Sequence, residues 1–420
     1  MSATQPSIEI NANRLWKRIE VLSRITDPAK PWTRRSFDDN FAKGRIWLET
    51  EFKAAGLSVA VDSGGNLIGR REGSKSGSGA LVSGSHSDTV PAGGRFDGVL
   101  GLLAALEAAQ SMHEQHISLL HPLEVVDFLA EEPSDFGLSC IGSRSWAGAL
   151  TASDLALRSS DITLASAIDK LGGHAEEIRR AMRPHDSVSA YVELHIEQGL
   201  VLPERNAAIG VVTAIAGIRR YEVTVEGRAD HAGTTPMSLR RDALVGAASV
   251  IRMVDELART RSPQRPYLVA TIGKISVEPN AINAVPGLVR MILETRSTED
   301  AELADFEQQL WQKVEPELQP RGLSLKYSPM SKTVPTACSP LIQEAIEQAA
   351  TSAGLHSTHL PSGAGHDGVF VARIAPMGMI FVPCRDGRSH APEEWAEPAD
   401  CANGARVLAE TLLLLDRKMN

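Results

Sequence analysis

Two apolar runs, each ending in charged residues, set the tightest limit on how this chain can fold. Ala80-Leu81-Val82-Ser83-Gly84 is short, uninterrupted and strand-like, and polar residues follow it. Leu123-Glu124-Val125-Val126-Asp127-Phe128-Leu129-Ala130 repeats the pattern, and two glutamates follow. A helix is expected between them, over about Val99–Met112. Strands alternating with helices imply an α/β layer architecture. Open α/β sheets place ligands beyond the C-terminal ends of their strands, where both polar clusters fall.

The flanking sequence extends this pattern. Residues from about Asn11 to Gly56 read as two helices, and Ser58–Arg70 as paired strands with Gly64-Gly65 as the hairpin signal. Lys75-Ser-Gly-Ser-Gly79 lacks the Gly-Lys-Ser/Thr ending of a phosphate loop and reads as a surface turn. From about Thr213 the pattern changes. Tyr221–Glu226 alternates as a strand, and Asp242–Thr260 is an amphipathic helix with Leu244, Ala247, Ala248, Ile251, Val254 and Ala258 on one face. Strands near Leu268–Ile275 and Leu288–Leu293, a helix over Asp300–Leu318 and a last strand near Ser324–Tyr327 follow. The order β-α-β-β-α-β is the split unit of a ferredoxin-like domain. An α+β domain is therefore expected at 213–330, inserted between residues 1–212 and 331–420, which together form one α/β domain. A chain of 420 residues exceeds what one core usually covers, in keeping with two domains.

Several function classes are excluded. The chain carries 43 Lys and Arg against 52 Asp and Glu, with no long basic run, so nucleic acid is not an expected partner. Cys140, Cys338, Cys384 and Cys401 are far apart and do not form a disulfide framework. The N-terminus has no apolar core like that of a signal peptide. The longest apolar stretch, Val99–Ala109, is interrupted by Glu107 and is too short to cross a bilayer. A cytoplasmic protein with no membrane partner is expected.

The chemistry gathers in four segments: Gly84-Ser-His-Ser-Asp-Thr-Val-Pro-Ala-Gly-Gly-Arg-Phe-Asp-Gly98, Ala130-Glu-Glu-Pro133, Glu193-Leu-His-Ile-Glu-Gln-Gly199 and Gly387-Arg-Ser-His-Ala-Pro-Glu-Glu394. Together they offer His86, Asp97, Glu132, His195 and His390 as ligands. Nitrogen and oxygen donors without a thiolate suit Zn, Mn, Co or Ni. Asp97, between glycines, can use both carboxylate oxygens to bridge two divalent metal ions about 3.5–4 Å apart. Asp88 is two residues beyond His86. On a strand the two side chains would share a face, so that the Asp88 carboxylate orients the imidazole. Adjacent Glu131 and Glu132 repel unless a cation lies near. One is expected to bind metal while the other takes a proton from water held there. Isolated histidines are more often packed or surface residues, and His113, His116, His121, His174, His185, His356 and His359 are read so.

With these segments in place, the chain resembles the dinuclear zinc amidohydrolases related to aminoacylase and to glutamate-releasing carboxypeptidase. Within them it resembles the hydantoinase/carbamoylase branch, which includes N-carbamoyl-L-amino-acid hydrolase, allantoate amidohydrolase, β-ureidopropionase and ureidoglycolate hydrolase. His195-Ile-Glu-Gln-Gly199 is the most branch-specific segment. The likeness runs from about residue 10 to the C-terminus. It implies an α/β catalytic domain of the zinc-exopeptidase type with an inserted ferredoxin-like dimerisation domain, and a homodimer whose domains open and close around a small N-carbamoyl or ureido acid.

The resemblance also implies His86, Asp97 and His195 at one metal, and Asp97, Glu132 and His390 at or near the other. Which of His86 and His195 pairs with Glu132 stays open. Glu131 matches the general base. His231, in Gly227-Arg-Ala-Asp-His-Ala-Gly-Thr-Thr-Pro236, matches a stabiliser of the developing oxyanion. Asn283 and Arg296 match carboxylate-binding positions, and Gln198 a contact to the ureido group. Gly365, in Ser362-Gly-Ala-Gly-His-Asp-Gly368, matches a loop offering backbone donors that His366 and Asp367 organise. Leu200, and Thr295 where relatives often carry Leu, depart from the pattern without touching a ligand. The implied reaction is hydrolysis of an N-carbamoyl-L-amino acid to amino acid, ammonia and carbon dioxide. The sibling ureido substrates are the nearest alternative, and a metallo-exopeptidase, a deacylase or a non-catalytic binding protein the more distant ones.

Overall fold

The computed structural model describes residues 8–261 and 267–419. Residues 1–7, part of the N-terminal stretch read above for a leader, lie outside them. The chain divides into two compact units, one made of residues up to Thr213 and from Cys338 onward, the other of Ala214–Ala337.

Along the chain, α1 (Ala12–Ser23) and α2 (Asp39–Ala54) come first. Each is started by a side chain that accepts an otherwise orphaned backbone N–H, Asn11 from Arg14 and Asp38 from Phe41. The hairpin β1 (Ser58–Val61) and β2 (Leu67–Arg71) precedes β3 (Ala80–His86), α3 (Val99–Glu114), β4 (Leu123–Phe128) and α4 (Ile141–Trp146). β5 (Val188–Ile196) and β6 (Ile209–Ile215) follow. Next come β7 (Gly217–Glu226), α5 (Ala243–Arg261), β8 (Leu268–Glu278), β9 (Leu288–Ser297), α6 (Asp300–Leu318) and β10 (Ser324–Thr333). The chain closes with α7 (Pro340–Ser352), β11 (Met377–Val382) and α8 (Pro398–Lys418).

In the larger unit the sheet runs β1-β2-β4-β3-β5-β11-β6. The central strands β4, β3, β5 and β11 are mutually parallel, while β1, β2 and β6 pair antiparallel at the flanks. Every residue of β3, β4 and β11 is buried, which is why these strands read as continuous apolar runs rather than alternating ones. The helix expected between β3 and β4 is buried almost all round, from Val99 to Met112 except Gln110. Its Glu107 is buried but paired, with Arg14 of α1 at 2.7 Å and Arg18 at 3.3 Å. Because all four central strands run the same way, their C-terminal ends emerge along one edge of the sheet.

The smaller unit has the antiparallel order β8-β9-β7-β10, with α5 and α6 sharing its core. Val223, Val225, Val250, Leu257, Phe306, Leu310 and Val314 make up much of that core. Along β9, Val289, Met291 and Leu293 are buried while Arg290, Ile292, Glu294 and Arg296 project from the opposite side of the strand. β10 runs past residue 330, and the compact unit extends to Ala337. Beyond Tyr327 that strand is exposed and polar, so no apolar alternation marks its extent. The neck closes on itself, Ala214 pairing with Ala337 and Ile215 with Thr336. In the larger unit Cys338 N–H then donates to Thr213 C=O at 2.9 Å.

Candidate metal centre

The parallel strands deliver the candidate ligands from separate parts of the chain to one edge. His86 is the last residue of β3, and His195 is next to last in β5. Glu131 and Glu132 follow β4, and His390 lies in the loop after β11. Asp97 stands just before α3, where Gly98 has φ 67°, and a Cβ on Gly98 would lie 2.3 Å from His86 Nε2. Only glycine lets the Asp97 turn press this closely on the imidazole. Ala130 (φ 52°), Cys140 (55°), Gln198 (58°) and His390 (54°) are left-handed without being glycine. Such conformations cost on the order of 1–3 kcal/mol each and persist where the surroundings impose them, commonly at functional sites.

Asp97 is at the centre. Its Oδ1 lies 2.9 Å from His195 Nε2 and 3.9 Å from His86 Nε2, and its Oδ2 lies 2.9 Å from His390 Nε2. His390 Nε2 is also 3.2 Å from Glu132 Oε1. The two oxygens thus face different sets: His86 and His195 on one side, Glu132 with His390 on the other. This grouping puts Glu132 with neither His86 nor His195, the pairing the sequence left open.

The imidazoles are held in a telling orientation. His195 Nδ1 lies 2.8 Å from Ile196 C=O and His86 Nδ1 lies 3.0 Å from Asp88 C=O. A carbonyl can only accept, so in each ring Nδ1 carries a proton and the neutral Nε2 presents a lone pair. Those lone pairs face carboxylate oxygens, acceptor against acceptor, and His195 Nε2 is also reached by the Gly98 N–H at 3.2 Å. A cation belongs between them, as either a proton or a metal ion. The electrostatics agree: burial opposes charge on His86 and His195, yet the surrounding carboxylates outweigh it and raise both. Asp97, pushed up by burial, is held well below the usual carboxylate range by His195 and His390. Gln198 adds a buried amide whose Oε1 lacks a partner. Buried nitrogen and oxygen donors with no thiolate among them fit a borderline or hard divalent ion.

Glu131 is placed differently from Glu132. Its Oε2 is 3.6 Å from His86 Nε2 and its Oε1 is 3.7 Å from Cys140 Sγ. Burial, reinforced by Glu132, Asp367 and Asp97, raises its carboxyl well above the usual range despite His86. It is a buried carboxylate with high proton affinity beside the ligands, as a proton carrier requires.

Asp88 meets His86 from beyond the end of the strand. β3 ends at His86, so the two side chains do not project side by side from a strand. The ring N–H meets the Asp88 carbonyl, and the Asp88 carboxylate is 3.5 Å away. That carboxylate also accepts the backbone N–H groups of Glu131 and Glu132, each at 3.3 Å, and so ties the Glu-Glu turn to β3. Gln198 Nε2 donates to Asp97 Oδ2 at 3.0 Å and to Ser389 Oγ at 3.0 Å.

Glu193, Glu394 and Ser389 carried no assigned role in the sequence. Glu193 accepts the Ser85 and Tyr191 hydroxyls beneath His195, at 2.7 and 2.9 Å. Glu394 and Ser389 support Asp97. His366 packs edge-on against His195, its ring nitrogen 2.8 Å from Ser362 Oγ, and Asp367 accepts the Ser143 hydroxyl at 2.6 Å. Gly365 is exposed. In the smaller unit His231 pairs with Ala284, and Ala232 N–H donates to Asn283 C=O at 2.9 Å, which brings His231 and Asn283 together. His231 Nδ1 accepts the Gly233 N–H at 3.0 Å, leaving its proton on Nε2. Arg296 is engaged by Glu294 at 2.6 Å, and Glu294 is shared with Arg220.

The chain belongs to peptidase family M20/M25/M40, whose family model matches residues 82–414. Within that class it is 40% identical to an N-carbamoyl-L-amino acid amidohydrolase of Geobacillus stearothermophilus, over 96% of this chain and 98% of the relative. It is 35% identical to a ureidoglycolate hydrolase of Oryza sativa subsp. japonica, over 95% of this chain and 84% of that one. An amidase of the hydantoinase/carbamoylase family from Burkholderia multivorans superposes with a TM-score of 0.91 at 36% identity, covering 98% and 99% of the two chains. Among the described residues no helix is long and apolar enough to cross a membrane.

Proposed function

We propose that this protein hydrolyses the carbamoyl C–N bond of an N-carbamoyl-L-amino acid. The observation that carries the reading is Asp97, whose two oxygens face separate ligand sets 2.9 Å away on either side, with Glu131 standing beside them. His86, Asp97 and His195 would hold one divalent ion, and Asp97, Glu132 and His390 a second, zinc first and manganese, cobalt or nickel as alternatives. Bound there, such ions polarise the carbamoyl oxygen and lower the pKa of a water towards about 7.

The chain's own residues do the rest. Glu131 takes a proton from the attacking water and passes it to the leaving nitrogen. The water oxygen bonds to the carbamoyl carbon, a C–N bond breaks, and the carbamic acid formed falls apart. One water and one substrate give amino acid, ammonia and carbon dioxide. His231, with its proton on Nε2, donates to the developing oxyanion, a contact worth roughly 3–4 kcal/mol in a dry site. Arg296 and Asn283 grip the substrate carboxylate, since a guanidinium fork matches a carboxylate. Gln198 and the backbone at Gly365 orient the ureido group, and Asp88 holds the turn that carries Glu131.

The smaller unit serves as the dimerisation and lid domain of a homodimer. Its edge strand β8 leaves Ile275 and Val269 exposed, and α5 exposes Leu244, Val245 and Ile251, a surface suited to a second copy. Buried free cysteines suit a reducing compartment such as the cytoplasm. The test is ammonia release from N-carbamoyl-L-amino acids, N-carbamoyl-β-alanine, allantoate and ureidoglycolate, with enzyme stripped of metal and then reloaded. Zinc-dependent release, greatest on an N-carbamoyl-L-amino acid, is expected. A different best substrate would reassign the enzyme within the branch, and no release from any of them would overturn the reading.

A further inference from the structure

We propose that Glu394 is a positioning residue that holds Asp97 between its two ligand sets; the inference rests on the metal reading above. Glu394 is completely buried. Its Oε1 accepts three successive backbone N–H groups, those of Arg95, Phe96 and Asp97, at 2.9, 2.8 and 3.1 Å. Its Oε2 accepts the Ser389 hydroxyl at 2.9 Å, and the same hydroxyl lies 3.1 Å from Asp97 Oδ2. Consecutive N–H groups converging on one oxygen form an anion cup. They fix the peptide planes on both sides of Phe96 and, through them, the direction in which Asp97 leaves the backbone.

The turn is shaped for this carboxylate. Gly94 has φ 112°, and a Cβ there would lie 2.3 Å from Glu394 Oε1. The neighbouring side chains lock the same two segments together. Trp395 packs edge-on against Phe96 at 5.7 Å, and the Arg95 guanidinium lies over the Trp395 ring at 4.6 Å and the Trp32 ring at 4.7 Å. Glu394 follows His390 by one helical turn's worth of chain and accepts from the Asp97 turn, so one side chain couples the loop that carries His390 to the loop that carries Asp97. Asp97 serves both ligand sets, so a loosened Asp97 weakens both together.

The test compares Glu394→Ala and Glu394→Gln with the parent, titrating zinc into chelator-stripped protein against a chromophoric competitor. Partners of this kind are typically worth about 10–100-fold in metal affinity. Glu394→Ala is expected to lose that much, whereas Glu394→Gln keeps an acceptor for the three N–H groups and is expected to retain most of the affinity. KM at saturating zinc should stay unchanged in both, because Glu394 lies behind Asp97. A residue that only stabilises the fold would lower the melting temperature of stripped protein and leave zinc affinity unmoved. Affinities within twofold of the parent for both variants overturn the proposal. Should Glu394→Ala fail to fold, a Glu394→Gln variant with the full alanine-sized loss expected above overturns it too, since the cup would then not depend on the acceptor oxygen. A parent protein that binds no zinc fails at the earlier reading, and this inference falls with it.

Discussion

His195 Nε2 lies 2.9 Å from Asp97 Oδ1 although the opposite ring nitrogen of His195 is committed to the Ile196 carbonyl. Two acceptors this close require a positive species between them. Removing metal should therefore lower thermal stability, and zinc at a hundred times its dissociation constant should restore about 2.7 kcal/mol per independent site. Asp97→Asn, which weakens both ligand sets, should abolish most of that increment. Calorimetry of stripped and reloaded protein measures it, and an unchanged melting temperature in both would count against the site.

Glu131 and Glu132 are neighbours with different tasks, and their variants should separate. Glu131→Gln is expected to lower kcat by about 10²–10⁴-fold while zinc stoichiometry stays at the parent value. Glu132→Gln should lose metal as well as rate. Equal metal loss in both would show that Glu131 is a ligand and not the base.

Arg296 is held by Glu294, which also engages Arg220. Arg296→Met should raise KM by about 10–100-fold, the loss of a charged hydrogen bond of about 1.5–3 kcal/mol, with kcat little changed because uniform binding is what is lost. Esterifying the substrate carboxylate should produce the same penalty in the parent enzyme and none further in the variant.

Glu107 sits within the apolar face-to-face packing of α3 and meets Arg14 and Arg18. Glu107→Ala removes the buried carboxylate those cations share, leaving Arg14 with Glu114 and Arg18 with Glu51, and should destabilise the protein by about 1–3 kcal/mol. Denaturant unfolding reads this directly. Activity per folded molecule should be retained, because the pair lies on α1 and α3, away from the ligands.

Much of the larger unit was legible because its strands are buried on both sides and end in polar clusters that nothing apolar explains. The ligand residues stood out for the same reason. Asp88 was harder: alternation predicts a shared face only while the strand continues, and β3 stops at His86. Glu394 left no trace of its partners because they are backbone N–H groups, which every sequence carries. The far part of β10 also escaped notice, since Ser-Pro-Met-Ser-Lys-Thr has neither apolar alternation nor burial. Glu107 interrupts an apolar run, and the helix expected over Val99–Met112 runs through it because Arg14 and Arg18 of α1 pair with the buried carboxylate.

The Thr213–Cys338 hydrogen bond closes the gap through which Ala214–Ala337 enters and leaves. To the larger unit, more than a hundred residues therefore count as one long hairpin whose ends are already joined. Loop-closure entropy grows only slowly with length, so an insertion of this size adds little to the cost of folding the larger unit. Changes of length within Ala214–Ala337 therefore leave the register of the strands that carry the ligands untouched.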